Sequence, residues 1–204
     1  MSFRGEAERI LSVVRGLAVI AICLAGCREP LVQEERIEPR PAAVPVAREL
    51  RPGEIATGEI TGAEPVVYRV ELGAGDFLHA TLDQQGVDAL AALVDSRGRD
   101  LLAIDSPNGE HGPEPIIFVA EEGGSYFLEV RPFGGGGGRF ALRVETRPAT
   151  GMDRIRARAC AALSRGDAAL AGGAAERRQA LRWYAEAIEG WRRSEEVYQE
   201  ALAE

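Results

Sequence analysis

Between Pro65 and Asp83 apolar and polar side chains alternate with a period of two, the signature of half-buried strands. Val66, Tyr68, Val70 and Leu72 fall on one face, with Val67, Arg69 and Glu71 on the other. After a Gly-Ala-Gly-Asp turn at 73–76 the pattern resumes, with Leu78, Ala80 and Leu82 inward and His79 and Thr81 outward. The two runs read as an opening hairpin. Further strands are predicted at Glu54–Ile60 (a weak edge), Ala89–Val94 (apolar on both faces, as a central strand can be) and Leu101–Asp105. Three more follow at Ile116–Ala120, Tyr126–Val130 and Phe140–Val144. Asp95-Ser96-Arg97-Gly98 has the residues of a tight turn, and Gly134–Gly138 reads as a floppy hairpin loop before the last strand. About eight short strands with turn signals and no helix between them predict an antiparallel, jelly-roll-like β-sandwich.

From residue 149 the period changes to that of helices. Thr150-Gly-Met-Asp153 predicts a capping box. It opens a helix with Ile155, Ala159, Ala162, Leu163, Ala169 and Leu170 on one stripe, weakened at Gly166. Ala171-Gly-Gly-Ala174 breaks it. A second helix carries Ala180, Leu181, Tyr184, Ala187, Ile188 and Trp191 along one face, and Ser194 can cap a third bearing Val197, Tyr198, Ala201 and Leu202. The chain is thus expected to be mainly β with an α tail: 50–148 a sandwich and 149–204 two or three helices.

The N-terminal part has another character. Leu17–Gly26 is an apolar segment preceded by Arg4, Arg9 and Arg15, the pattern of a secretory signal and far short of the ~20 apolar residues of a spanning helix. Its end, Leu24-Ala25-Gly26-Cys27, resembles the lipobox of bacterial lipoproteins. The resemblance implies cleavage before Cys27, acylation of that cysteine, and membrane attachment through the lipid. Removing residues 1–26 takes away three Arg and two Glu and moves the formal charge from −8 to −9. Arg28 stands where lipoproteins retained at the inner membrane commonly carry Asp, which favours the outer membrane of the cell envelope. Residues 27–49 contain Pro30, Pro39, Pro41 and Pro45, and read as a semi-rigid tether.

Composition narrows the function classes. All 24 basic residues are Arg, the net charge is −8, and no Arg block stands clear of acidic neighbours, so nucleic acid is not an expected partner. Cys23, Cys27 and Cys160 have no zinc or disulfide spacing. No cofactor is expected. Asp76, Asp83, Asp88, Asp95, Asp100 and Asp105 could supply oxygen ligands to calcium, but their positions at strand ends read first as turn chemistry. The five-glycine run lacks the Lys and Ser/Thr of a phosphate-binding loop. His79, His111 and Cys160 are too scattered for a nucleophile–base pair, and no catalytic residue is predicted.

Taken in order, Tyr68, Gly75-Asp76, Asp95-x-x-Gly98, Gly124-x-Tyr126-x-Leu128-x-Val130 and Phe140-x-Leu142-x-Val144 resemble the bacterial pre-peptidase C-terminal (PPC) β-sandwich. That resemblance implies a non-catalytic module of secreted proteins, some of which bind calcium or polymeric ligands. Ala180-x-x-x-Tyr184-x-x-Ala187 resembles the second helix of a tetratricopeptide (TPR) unit. One such unit should leave an apolar stripe in need of a cover, which could be the sandwich, a second copy or further helical chain, and a protein partner for the helical tail is expected. The combination resembles the front of bacterial CHAT-domain (caspase-like) proteins. Three readings follow: a non-enzymatic, membrane-anchored envelope lipoprotein acting as an adaptor; the N-terminal sensing part of a CHAT-type protease; or a calcium- or glycan-binding module.

Overall fold

The structure, a computed structural model, describes residues 47–133 and 136–194. Nine strands form two sheets: β1 Arg48–Glu49, β2 Ile55–Ile60, β3 Val66–Leu72, β4 Asp76–Gln85, β5 Ala89–Val94, β6 Asp100–Ile104, β7 His111–Val119, β8 Gly124–Pro132 and β9 Gly138–Pro148. One sheet has the order β1-β3-β8-β5-β6 and the other β2-β9-β4-β7. All pairings are antiparallel except that of β1, whose two residues run parallel to β3 and fall at the end of the stretch read as a tether. The core lies between the sheets, with Tyr68, Leu78, Leu82, Leu93, Leu128 and Phe140 among its largest buried side chains.

The predicted facing of the strands holds, but the predicted opening hairpin does not. β3 pairs with β1 and β8, whereas β4 pairs with β7 and β9, so the chain crosses from one sheet to the other at Gly73–Asp76. The turn is tight: Gly75 has φ +85°, Asp76 N donates to Gly73 O (3.1 Å), and Asp76 Oδ2 accepts from Gly73 N (2.7 Å). Two strands that each bury one face satisfy that burial equally well side by side or face to face, and alternation alone does not choose. The same holds for β8 and β9, which lie in different sheets, so the glycine run is not a hairpin loop. Nor are its last residues free space: a Cβ on Gly137 would lie 2.7 Å from Ile60 O, and one on Gly138 would collide with Gly86 O. The Asp95–Gly98 turn does join a true hairpin, β5–β6, with Asp95 Oδ1 accepting from Arg97 N and Arg99 N at 2.9 Å.

Two helices follow, α1 Gly151–Leu170 and α2 Ala174–Ser194, separated at the predicted Ala171–Gly173 break. The capping box forms as expected: Thr150 Oγ1 accepts from Asp153 N (3.2 Å) and Asp153 Oδ2 accepts from Thr150 N (2.7 Å). Asp153 also takes a bidentate pair from Arg147 at the end of β9 (2.5 and 2.7 Å), which ties the start of the helix to the sheet. The Arg147 guanidinium holds the Asp153 carboxyl well below the usual carboxylate range, against the effect of burial.

α1 packs along β6 and β7, the edge strands of the two sheets on one side of the sandwich. Edge strands present unpaired backbone groups. Here Ser164 Oγ accepts from Ala103 N of β6 (2.9 Å), and the Cys160 thiol points at Pro115 O of β7 (4.0 Å). That contact sets the outward side of β7, and Pro113 shares the parity of Pro115 in the ladder with β4. Both prolines therefore lack an N–H where no ladder partner stands, the placement a strand edge tolerates.

Against its other side α1 receives α2 at close range. A Cβ on Gly190 would lie 2.7 Å from Ala159 Cβ, and one on Gly166 would lie 2.5 Å from the Tyr184 ring. Gly166, expected to weaken the helix, is the socket for Tyr184.

A carboxyl side chain also stands between the two sheets. Glu114 of β7 has no exposed surface and shares its surroundings with Leu82, Leu128 and Leu142. Its Oε1 accepts from Gln84 Nε2 (2.9 Å) and its Oε2 from Ser106 N (2.7 Å), while Gln84 Oε1 accepts from Ala89 N (2.6 Å). Burial pushes the Glu114 carboxyl up to about 7, the charges of Asp105 and Asp88 add to the rise, and the Ser106 hydrogen bonds oppose it.

Two outcomes are expected. Gly190→Ala should lower stability by about 1 kcal/mol in urea unfolding, because overpacking of ~1–3 kcal/mol outweighs the ~1 kcal/mol gain in helix propensity. The swap Gly190→Ala/Ala159→Gly should recover most of the loss, and a stabilised single variant would refute the close approach. For Glu114, a folded pKa near 7 above an ordinary 4.5 means that stability is fully present below the lower value and is lost as pH rises toward 7. The wild-type chain should melt higher at pH 5 than at pH 8, by the order of 3 kcal/mol in the Glu114 contribution. Below about pH 4 the opposite contribution of Asp153 is lost and stability falls again. Glu114→Gln should flatten the slope between pH 5 and 8, and an unchanged slope would assign it to other groups.

Candidate interaction surface

Leu24, Ala25, Gly26 and Cys27 lie outside the described residues, as do Val197, Tyr198, Ala201 and Leu202 of the expected third helix. On α2, Ala180, Ala187 and Trp191 are buried, Tyr184 and Ile188 are half-buried, and Leu181 is 71% exposed. One residue on from Ala180 is a turn of about 100°, which carries Leu181 off the buried face. The stripe expected to be left uncovered by a lone helical unit faces α1 instead, through Gly166 and Ala159. Tyr184 reaches past its socket to donate to Asp167 Oδ1 (2.8 Å). Burial, together with that carboxylate, pushes the tyrosine hydroxyl up to about 12, and burial likewise raises Asp167. Ser194 is the last described residue of α2, and its hydroxyl donates back to Gly190 O and Trp191 O (both 3.1 Å); the helix it is expected to cap lies outside the described residues.

The residues weighed for chemistry are held apart. Cys160 is buried against β7, and desolvation pushes its thiol up to about 12, so it carries no thiolate near neutral pH. His79 stands opposite Ile117 and His111 opposite Gln85, so the two histidines are separated by six ladder positions, about 20 Å along the strands. Among the Asp residues, Asp76 and Asp95 serve turns, Asp83 accepts from Gln85, and Asp100 takes both guanidinium nitrogens of Arg131 (2.6 and 2.9 Å). Burial raises Asp105, with Asp88 and Asp167 adding to the rise. Among the described residues no three His, Cys, Asp or Glu side chains lie close enough to hold a metal ion.

Two concavities flank the N-terminal half of α1. The first, about 520 Å³, lies on the outer face of the β2-β9-β4-β7 sheet and is lined by Phe77, His79, Ile117, Glu145 and Arg147. Arg147 covers the Phe77 ring at 4.5 Å while bound to Asp153, so its charge is already matched. The second, about 550 Å³, is a groove between α1 and the β5–β6 and β7–β8 turns. Its floor is apolar, with Leu101, Phe118, Tyr126, Ala157 and Ala161. The Phe118 and Tyr126 rings meet at 5.5 Å, tilted by 58°, and the Tyr126 hydroxyl donates to Glu122 O (2.8 Å).

Arg154, Arg158 and Arg165 form the α1 wall of this groove, with Arg97 beside the opposite turn. Arg165 lies over the Trp183 ring (5.1 Å) and Arg99 is paired with Asp95 (2.6 Å). The side chains of Arg97, Arg154 and Arg158 have neither a hydrogen bond nor an ion pair among the described residues. The sequence carried a signal for this wall that composition obscures: positions 154, 158 and 165 share one helical face with Ala157 and Ala161 between them.

Neither a protein-family model nor a curated protein matches the chain. Its fold is similar in part to solved structures. The pre-peptidase C-terminal domain of a collagenase from Bacillus anthracis aligns at 21% identity and TM-score 0.40, over 48% of this chain and 94% of that one. PliG of Aeromonas hydrophila, a periplasmic inhibitor of g-type lysozyme, aligns at 13% identity and TM-score 0.41, over 50% of this chain and 97% of that one. The CspB protease of Clostridium perfringens aligns at 10% identity and TM-score 0.35, over 50% of this chain and 30% of that one.

Proposed function

We propose that the chain is a non-enzymatic lipoprotein of the cell envelope, anchored through Cys27, whose sandwich and helical hairpin together form a protein-binding adaptor. The observation that supports the adaptor reading is the joint between the two parts. Arg147–Asp153, Ser164–Ala103 and the Cys160–Pro115 contact fasten α1 to three different strands. The helices are thus an extension of the sandwich surface, and the groove beside them is a preformed site. The anchoring reading rests on the Leu24-Ala25-Gly26-Cys27 motif after an Arg-led apolar segment, and the proline-containing stretch after it supplies a spacer from the membrane.

The anchor is tested by expressing wild type and Cys27→Ala in a bacterial host and separating membranes from soluble protein. Wild type should sediment with membranes and take up labelled fatty acid, and the variant should do neither. Retention of the variant would remove the anchor from the reading. The adaptor part is tested separately, with a photo-crosslinking residue scanned over exposed positions of α1, α2 and the outer sheet faces. A discrete adduct confined to one surface is expected, and no adduct at any position would overturn it.

A further inference from the structure

The arginines of α1 are placed against its own electrostatics. A helix N-terminus carries partial positive charge and favours acidic side chains, while cations are stabilising in the last turn. α1 has Arg154, Arg156 and Arg158 within its first two turns and no basic residue in its last. Of these, Arg156 alone has an ion-pair partner among the described residues, Asp153 at 3.9 Å. On a chain of net charge −8, folding stability does not account for two unpaired cations at the positive end of a helix.

The opposite wall carries the other sign. Glu121 and Glu122 stand in the β7–β8 turn across from α1, with no ion pair among the described residues. Between the walls lies the apolar floor made by Phe118, Tyr126, Ala157 and Ala161. A uniformly anionic surface or polymer would meet Glu121 and Glu122 as well as the arginines, and like charges brought together are unfavourable. An extended protein segment does not have this difficulty, because its side chains point alternately to two sides. It can set carboxylates toward α1 and apolar side chains on the floor.

From this we infer that the groove between α1 and the β7–β8 turn binds a protein segment with alternating acidic and apolar side chains, Arg154 and Arg158 pairing its carboxylates. Arg97 adds a cation from the β5–β6 turn, and Glu121 and Glu122 exclude plain polyanions. The inference rests on the adaptor reading and gives its partner a chemistry.

The test uses the full chain in mild detergent and three labelled decapeptides read by fluorescence anisotropy: alternating Glu and Leu, alternating Arg and Leu, and Glu throughout. The Glu-Leu peptide should bind best, at least tenfold more tightly than either of the others, and weaken as NaCl is raised from 50 to 500 mM. Arg154→Glu/Arg158→Glu should weaken it at least tenfold with no change in melting temperature, whereas Leu181→Glu on α2 should leave it unchanged. Glu121→Arg/Glu122→Arg should gain affinity for the all-Glu peptide, an outcome that a misfolded variant does not produce. Equal binding of the Glu-Leu and Arg-Leu peptides, or Glu-Leu binding indifferent to the α1 double variant, would overturn the inference. Such a result alongside a discrete crosslinked adduct elsewhere would leave the adaptor reading standing, and the absence of any adduct would remove that reading itself.

Discussion

A two-sheet sandwich leaves an edge strand at each border, and the backbone groups along those edges must be paired, covered or solvated. In this protein the border formed by β6 and β7 is covered by α1, and much of the remaining structure depends on that contact. The helix can come close because the residues it turns to this seam, Cys160 and Ser164, are small. Ser164 supplies the acceptor that Ala103 N lacks at its edge. Pro113 and Pro115 remove donors from the other edge, where a helix has few acceptors to offer. Cys160 is a small apolar side chain in this seam, the role expected of a lone cysteine among alanines on a helix.

The seam fixes the direction of everything attached to it. The start of α1 is tied to β9 through Arg147 and Asp153, so the helix cannot swing about its N-terminus without separating a bidentate pair from a buried carboxylate. Loss of one partner in such an arrangement leaves a buried charge uncompensated, which costs far more than the pair contributes while intact. α2 then lies on α1 with Gly190 against Ala159 and Tyr184 in the space left by Gly166. This close packing covers the apolar stripe of α2 and keeps the other flank of α1, with its arginines, open to the groove.

Glu114 is the exception inside this arrangement. Both of its carboxylate oxygens meet donors, yet the site between the sheets is dry enough to push its pKa up to about 7. Through Gln84 it satisfies the Ala89 N–H at the start of β5, and through Ser106 it fixes the chain after β6. A buried polar network of this kind is costly when half satisfied and position-specifying when complete. It joins β4 and β7 of the β2-β9-β4-β7 sheet to the segments that begin β5 and follow β6 in the other.

Much of this was legible in the residues themselves. Alternation gave the inward face of β3, β4, β8 and β9, Asp95–Gly98 gave the one true hairpin turn, and Thr150–Asp153 gave the cap of α1, because each depends on interactions within a few residues. Those signals do not say which strand lies beside which. Gly73–Asp76 looked like a hairpin turn and is a crossing between sheets, since burial of one face is satisfied in either arrangement. Gly166 looked like a weak point and is a socket, because its partner Tyr184 lies on another helix. The groove is the clearest case: Arg97, Glu122 and Arg158 are ordinary charged residues in three separate segments, and they become one surface once the edge of the sandwich has been closed by α1. Local physical chemistry therefore determined the elements and their faces, while long-range packing, through the competition to cover edges and fill sockets, decided their neighbours and the surface they present.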